Sequence, residues 1–574
     1  MDYVHAGIRR SAAVLAIAAA VGLPQALAAQ GAAPVNQYGN PLKLAPRPTT
    51  AAITEADLKT RIYTFADDSM MGRQSGREGN RKGTDYIARE LQRLGVEPVG
   101  ENGTYFQALP FVVRKYSDRS TLTVGGRALR WLTDFVAIPG SAAPRPIRNV
   151  EVIYGGISGD TTNLITREQA AGKLVVLSPP QRAVMRGGRQ GNQWMMRFVD
   201  AAAVATVDLD GLTPNQRAFI NNPPGRFTDP AQPAPPSGPA TLRLTREAAG
   251  TLFGGRFDGL TLGMTAAGRV SANLDFQQTP VPEFARNVIG VIRGSDPALR
   301  GQYVAIGAHN DHVGFNAASV DHDSARAYAT AEMIKRIEVG LRDLTPEERA
   351  QIRVNLDSIR RVNPIRRDSI NNGADDDGSG SMAVLEIAEA IARMETKPRR
   401  SIIFVWHTAE EAGLLGARWF TDHPTVPRDS IVAQVNIDMI GRGRADDIVG
   451  GGPDYVGIVG ASMLSTELGQ AVEAVNAKQQ PPLKFDDRFD RPTDWPGYNN
   501  IYGRSDHAMY ARYNIPIVFF FTGLHADYHR PTDEAQYLDY PHYTRITRYI
   551  NDLVLEIANR DKRLVVDKAT TRTN

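Results

Sequence analysis

The residues best equipped for chemistry are acidic. Gly373-Ala374-Asp375-Asp376-Asp377-Gly378-Ser379-Gly380 sets three carboxylates in a row. Adjacent carboxylates repel, so a folded chain keeps them together only where cations or many backbone N–H groups compensate. Four further clusters add imidazoles and carboxylates: His309-Asn310-Asp311, His407-Thr408-Ala409-Glu410-Glu411, Asp438, and His525-Ala526-Asp527-Tyr528-His529. Each follows an apolar run, at 303–308, 402–406, 431–437 and 515–521. In an α/β sheet, functional groups gather where strands end and loops begin, so these clusters are expected to converge. Histidines and carboxylates without cysteine suit two adjacent divalent ions such as Zn²⁺. Such a pair needs a bridging carboxylate, and a water held between the ions becomes hydroxide near neutral pH. That nucleophile still needs a base. Glu410 and Glu411 can divide the labour, one ligating metal while its neighbour faces the water.

The elements that must position these groups can be read next. From residue 288 the apolar runs are continuous (288–292, then the four above), which predicts strands buried on both faces. Helices are expected between them, at 379–394 and at 544–558, the latter with Ile546, Ile550, Leu553, Val554 and Ile557 as its stripe. Upstream, Ile87, Leu91 and Leu94 share one face of a helix at 85–94, with Gly95 as its C-cap. The result is an α/β domain with a largely buried sheet.

Residues 120–274 have a different texture. Short β-like runs at 121–124, 150–154, 174–177 and 241–244, punctuated by Gly and Pro, read as a β-rich insert. Its segment 221–239 is Pro-rich and polar, hence a loop, and its basic run 182–197 reads as a solvated face. A charged helical insertion at 325–361, with Met333, Ile337 and Leu341 as its apolar line, is either a lid near the site or a solvated peripheral hairpin.

Composition narrows the class. The 574 residues exceed one ordinary core, and 42% hydrophobic content is that of a globular protein. A net charge of only +3, without a basic stripe interleaved with aromatics, argues against nucleic acid as a partner. Residues 1–28 read as an export signal: a basic stretch at 5–10, an apolar run at 12–23 that is short and Ala-rich for a span, and Ala26-Leu27-Ala28 for cleavage, with an uncleaved anchor as the alternative. Residues 29–50 are then a flexible leader and 566–574 a tail. Export without cysteine fits a periplasmic or extracellular enzyme, with no membrane contact beyond the signal.

Together, His309-x-Asp311, Gly-Ala-Asp-Asp376-Asp-Gly-Ser-Gly, Glu410-Glu411-x-Gly-Leu-x-Gly, Asn-Ile-Asp438-Met-Ile-Gly and Asp-Tyr-His529 resemble, in order, the five motifs of the M28 family of zinc metallopeptidases. The likeness extends to Met71-Gly-Arg73-x-x-Gly76 and to the segment 287–296. It implies a zinc-exopeptidase-type α/β/α sandwich with a mixed central sheet, formed by residues 51–119 and 275–565, with 120–274 similar to a protease-associated (PA) domain. It also implies two Zn²⁺ (Co²⁺ or Mn²⁺ being possible), with Asp376 bridging, His309 and Asp438 completing one site, and Glu411 and His529 the other. Glu410 would be the general base, Asp311 and Asp377 supporting residues behind the ligands, and the Asp376–Asp377 peptide bond cis. The implied activity is hydrolysis at the free N-terminus of a peptide or protein. Two departures stand out: Asp377 where relatives often carry Asn, and Ala409 where they often carry Gly.

Rival readings are explicit. Asp375, Asp377, Ser379, Gly380 and Glu386 match positions 1, 3, 5, 6 and 12 of a calcium-binding EF-hand loop. No helix precedes that loop, and apolar periodicity runs through Glu386. His312, His407, His507 and His525 read as structural or supporting, and Arg504-Ser-Asp506-His507 as a segment that could line the cleft. Alternatives on the same fold are a one-zinc glutaminyl-cyclase-like acyltransferase, a carboxypeptidase and a non-catalytic binding relative. Side-chain preference and oligomeric state are not encoded legibly.

Overall fold

The computed structural model describes residues 35–568, apart from 161, 181–194, 340–341, 363–364, 449 and 491–500. The expected export signal and most of the basic run 182–197 lie outside the described residues.

The site is carried by a nine-stranded mixed sheet. Its long strands are β1 (Arg286–Ile292), β2 (Tyr303–His309), β3 (Ser401–His407), β4 (Ile431–Ile437), β5 (Tyr455–Val459) and β6 (Ile517–Phe521). They lie in the order β1-β3-β2-β4-β6-β5. Glu97–Pro98 and Phe106–Ala108 pair with β1, and Lys484–Asp486 pairs with β5. β3, β2, β4 and β6 run parallel, while β1 and β5 run antiparallel to their neighbours. The four parallel strands therefore end on one edge of the sheet, at His309, His407, Ile437 and Phe521.

Every residue of these four strands is buried, as their unbroken apolar runs predict. Alternate side chains enter opposite cores. Val304, Ile306 and Ala308 pack with helices α1 (Glu55–Phe65), α2 (Glu78–Leu94), α3 (Gly380–Arg393) and α4 (Tyr540–Asn559). Tyr303 and Ala305 face Phe420, Tyr510 and Ala511, from the short helices Leu415–Asp422 and His507–Ala511. The sheet is thus the middle of three layers.

α2 begins seven residues before the predicted 85. Its first two turns bury Gly79, Asn80, Gly83 and Thr84, so no apolar stripe announces them. A Cβ at Gly79 would come within 2.6 Å of the Met70 carbonyl oxygen. Close packing needs small residues there, and periodicity cannot see them. Gly95 caps the helix in the left-handed conformation, as expected.

Phe111–Tyr116 and Phe276–Pro280 pair antiparallel and carry the chain out of the α/β domain and back. Between them lie a five-stranded sheet with parallel pairs and a four-stranded antiparallel sheet around a separate core. The segment 325–361 holds helices His322–Glu338, Pro346–Ala350 and Leu356–Val362, set between the antiparallel strands Gly314–Asp321 and Arg367–Asn371. Of its predicted apolar line, Leu341 lies outside the described residues, Met333 is half-buried and Ile337 is 43% exposed, whereas His322 and Ala329 are buried. Residues 35–50 are not a free leader. Asn40 donates to the Gln536 and Leu538 carbonyls at 3.0 and 3.1 Å, and Thr49 to Glu389 at 2.6 Å.

Candidate metal centre

Asp376 sits between β2 and the start of α3, with its two carboxylate oxygens facing different partners. Oδ1 lies 3.2 Å from His309 Nε2, at the end of β2, and that nitrogen is 3.6 Å from Asp438 Oδ1, just past β4. Oδ2 lies 3.1 Å from His529 Nε2, on the loop after β6, which is 2.9 Å from Glu411 Oε2, on the turn after β3. The structure thus brings His309, Asp376, Glu411, Asp438 and His529 together, in two sets that meet at Asp376.

His312 joins the second set. Its Nδ1 is 2.9 Å from Glu411 Oε1 and 3.6 Å from Asp376 Oδ2. Ligand atoms of His312, Asp376, Glu411 and His529 all lie within 4.8 Å of one another, as do those of His309, Asp377 and Asp438. The sequence reading kept His312 among structural or supporting histidines; its place beside Glu411 is within that range but nearer the ligands than expected.

The supporting groups can be placed atom by atom. Asp377 accepts from the N–H groups of His309, Gly380 and Met439 at 3.0, 2.8 and 3.2 Å, so backbone donors compensate it. The Asp376–Asp377 bond is cis. Asp311 approaches His309 Nδ1 chiefly with its carbonyl oxygen, at 3.0 Å; its carboxylate is 3.7 Å away and instead accepts from the Glu410 N–H at 3.0 Å. Asp375 receives Ser379 Oγ and the Gly441 N–H, and faces His525 Nε2 at 3.2 Å. Ser505 donates to Asp438 Oδ2 at 2.8 Å, the one member of 504–507 shown touching a ligand. His407 lies between Asp506 and Tyr510, and His507 stacks on Phe519. The EF-hand reading fails on Glu386, which sits within α3 and pairs with Arg61 at 2.7 Å.

Sequence reasoning missed three buried supports. Arg73 donates to the carbonyls of Phe65, Asn310, Asn372 and Gly373, tying the segment after His309 to the one before Asp376. Burial lowers it to about 10. Asp533 accepts from the N–H groups of Asp375 and Asp376, and Arg442 pairs with Asp527 at 2.9 Å and lies 3.7 Å from Asp533. Only Arg73 had a signal, lying within the 71–76 segment noted above.

The donor set fits divalent ions. Asp376 Oδ2, Asp438 Oδ1 and His529 Nε2 are buried without a hydrogen-bond partner, and such atoms are costly unless something satisfies them. Imidazole nitrogen and carboxylate oxygen are ligands for Zn²⁺, Co²⁺ or Mn²⁺. Charge agrees. Burial alone would raise Asp376, but His312, His309 and His529 outweigh it and hold the carboxyl well below its usual range. Burial, and then the carboxylates of Asp376 and Glu411, pull His529 in opposite directions, with a net rise to about 10. Burial pushes Glu410 well up, His309 opposes it, and Glu411 and Asp438 add to it. Buried negative charge outruns the local positive charge, the condition a bound cation relieves.

Comparison with known proteins gives these motifs a family. The chain is 31% identical over 172 residues to leupeptin-inactivating enzyme 1 of Streptomyces exfoliatus, covering 29% of this chain and 33% of that one. It is 29% identical over 203 residues to leucine aminopeptidase 1 of Ajellomyces capsulatus (strain H88), covering 33% and 48%. The matches thus span about a third to a half of these curated relatives. Among solved structures, a zinc aminopeptidase from Bacillus subtilis aligns with a TM-score of 0.48 at 15% identity, covering 91% of this chain and 99% of that one. The family model for Peptidase family M28 matches residues 287–554, a stretch that includes all five candidate ligand positions.

Proposed function

We propose that this protein is an exported two-metal exopeptidase that removes N-terminal residues from peptides. The carrying observation is Asp376, whose two oxygens face a histidine–carboxylate set on either side. On this reading His309 and Asp438 hold one ion, Glu411 and His529 the other, and Asp376 both. When bound, the ions would polarise the scissile carbonyl and lower the pKa of a coordinated water.

The remaining work belongs to the chain. Glu410 takes the proton of the attacking water, its oxygen adds to the carbonyl carbon, and Glu410 returns the proton to the amine nitrogen as the C–N bond breaks. The Asp311 carboxylate holds the Glu410 backbone, and His312 holds Glu411, so the base and its ligating neighbour are positioned from opposite sides. Relatives named leucine aminopeptidase support the choice of the N-terminus. Export rests on residues 1–28. Among the described residues no helix is long and apolar enough to cross a membrane.

The test is turnover of an aminoacyl anilide and of peptides with free or blocked ends, with the metal content measured alongside. Two Zn²⁺ per chain, activity lost to a chelator and restored by Zn²⁺, and no cleavage of N-blocked peptides are expected. One tightly bound ion, or cleavage from the C-terminus, would overturn the reading.

A further inference from the structure

The β-rich insert and the α/β domain line an open-sided cavity of about 650 Å³. Its walls combine two kinds of chemistry. Phe219, Phe227 and Phe315 make it apolar, while Arg114, Arg226 and Arg243 place guanidiniums at its surface. Arg243 is paired with Asp208 at 2.9 Å. Arg114 donates only to the neutral Gln278 and Thr228, and among the described residues neither it nor Arg226 has a carboxylate partner. A fourth guanidinium, Arg77, lies 4.4 Å from the Phe219 ring centre, and its Nη2 is buried without a hydrogen-bond partner. Burial lowers both Arg77 and Arg114, and the charge of Arg226 lowers them further. Like charges gathered on an apolar wall without counter-ions are what an apolar carboxylate would complement.

The cavity is tied to the metal centre by continuous backbone. His312 bridges to Gln74, and the Gly225 N–H donates to the Gly76 carbonyl at 2.6 Å, placing Arg226 two hydrogen-bonded steps from His312. On the other wall Phe315 and Ala317 follow His312 by three and five residues, at most about 10 and 17 Å along an extended chain. A substrate strand advancing about 3.3 Å per residue covers that span in roughly three to five residues.

We propose that this cavity binds the C-terminal residue of the peptide being cut, with its carboxylate on Arg114 and Arg226 and its side chain against Phe219, Phe227 and Phe315. This deepens the exopeptidase reading and rests on it: the preferred substrates are short peptides with a free, apolar C-terminal residue. A separate small acid has the same chemistry, so the experiment must tell the two sources apart.

The metal-loaded full chain is assayed on Leu-Gly-Gly-Phe, on the same peptide as its C-terminal amide, and on leucine anilide; binding of N-acetyl-phenylalanine and its amide is measured in parallel. The free acid should exceed the amide in kcat/KM by about tenfold or more, through KM, the scale of a charge-assisted contact. Arg226→Gln should bring the two within about twofold and leave anilide turnover unchanged, while Arg226→Lys should recover part of the preference. A wild-type acid-to-amide ratio near one overturns the proposal. If N-acetyl-phenylalanine binds and Arg226→Gln abolishes that binding while the ratio is near one, the occupant is a separate acid and the substrate assignment falls. If no substrate is cleaved but the acid binds at Arg226, the peptidase reading fails and the cavity remains an anion site.

Discussion

At the scale of single residues, the site turns on how each carboxylate is compensated. Asp377 is satisfied by three backbone N–H groups, whereas Asp376 keeps an oxygen buried without a hydrogen bond, so adjacent acids of one type have different tasks. Asp376→Asn should therefore lower the metal content of both sites, while Asp438→Asn lowers one, as counted by atomic spectroscopy on dialysed protein. Equal stoichiometry in the two variants would refute the bridging role. Glu410→Gln keeps size and hydrogen bonding but cannot take a proton. It should retain metal and lose about 10²- to 10⁴-fold in kcat, the usual contribution of a general base. Local strain marks the same places: Ala409, Met439 and His529 adopt φ of 56°, 59° and 55°, a region costly for residues other than glycine, beside Glu410, beside Asp438 and at a candidate ligand. That explains why glycine would be the easier residue at position 409.

At the scale of elements, the loop after β6 that carries His529 is held by charges from the inserted helices. Arg326 approaches Asp527 at 3.4 Å and Glu332 approaches Arg530 at 3.6 Å, while His322 and Arg366 both meet Glu534, at 3.1 and 2.9 Å. Burial would raise Glu534, but hydrogen bonds and charge from His322 and Arg366 outweigh it and hold it down at about 2. A carboxyl lowered on folding stabilises above its ordinary value near 4.5, and that stability is lost as pH falls toward 2, here about 3 kcal/mol at most. In metal-free protein the Tm advantage of the native chain over Glu534→Gln should shrink between pH 5 and 3. A constant gap would show that the pairing contributes no such stability. The insertion therefore braces the site edge. Its sequence left lid and peripheral hairpin open because the anchors are charged side chains, and charge carries no periodic signal.

At the scale of the whole molecule, the insert has its own core, and every candidate ligand lies outside it, between residues 309 and 529. Calorimetry should resolve two transitions. Chelation should lower only that of the α/β domain, by about 3 kcal/mol when metal had stood at a hundred times its Kd, because an ion bound to the native state alone stabilises only the unit that holds it. A single transition, or one in which both shift together, would mean the units unfold as one. The sequence by itself determined the buried sheet, because strands covered on both faces must be apolar without interruption, and it determined the chemical types at the strand ends, because a metal centre restricts its donors to a few side chains. The family resemblance had already singled out Asp376 among the three neighbouring aspartates; only the tertiary structure decided that its two oxygens face separate sets, that His312 stands against Glu411, and that Arg73, Arg442 and Asp533 support the cluster from residues far apart in the chain. Those assignments depend on the direction of individual side-chain atoms and on contacts hundreds of residues apart, and neither leaves a trace in spacing or composition.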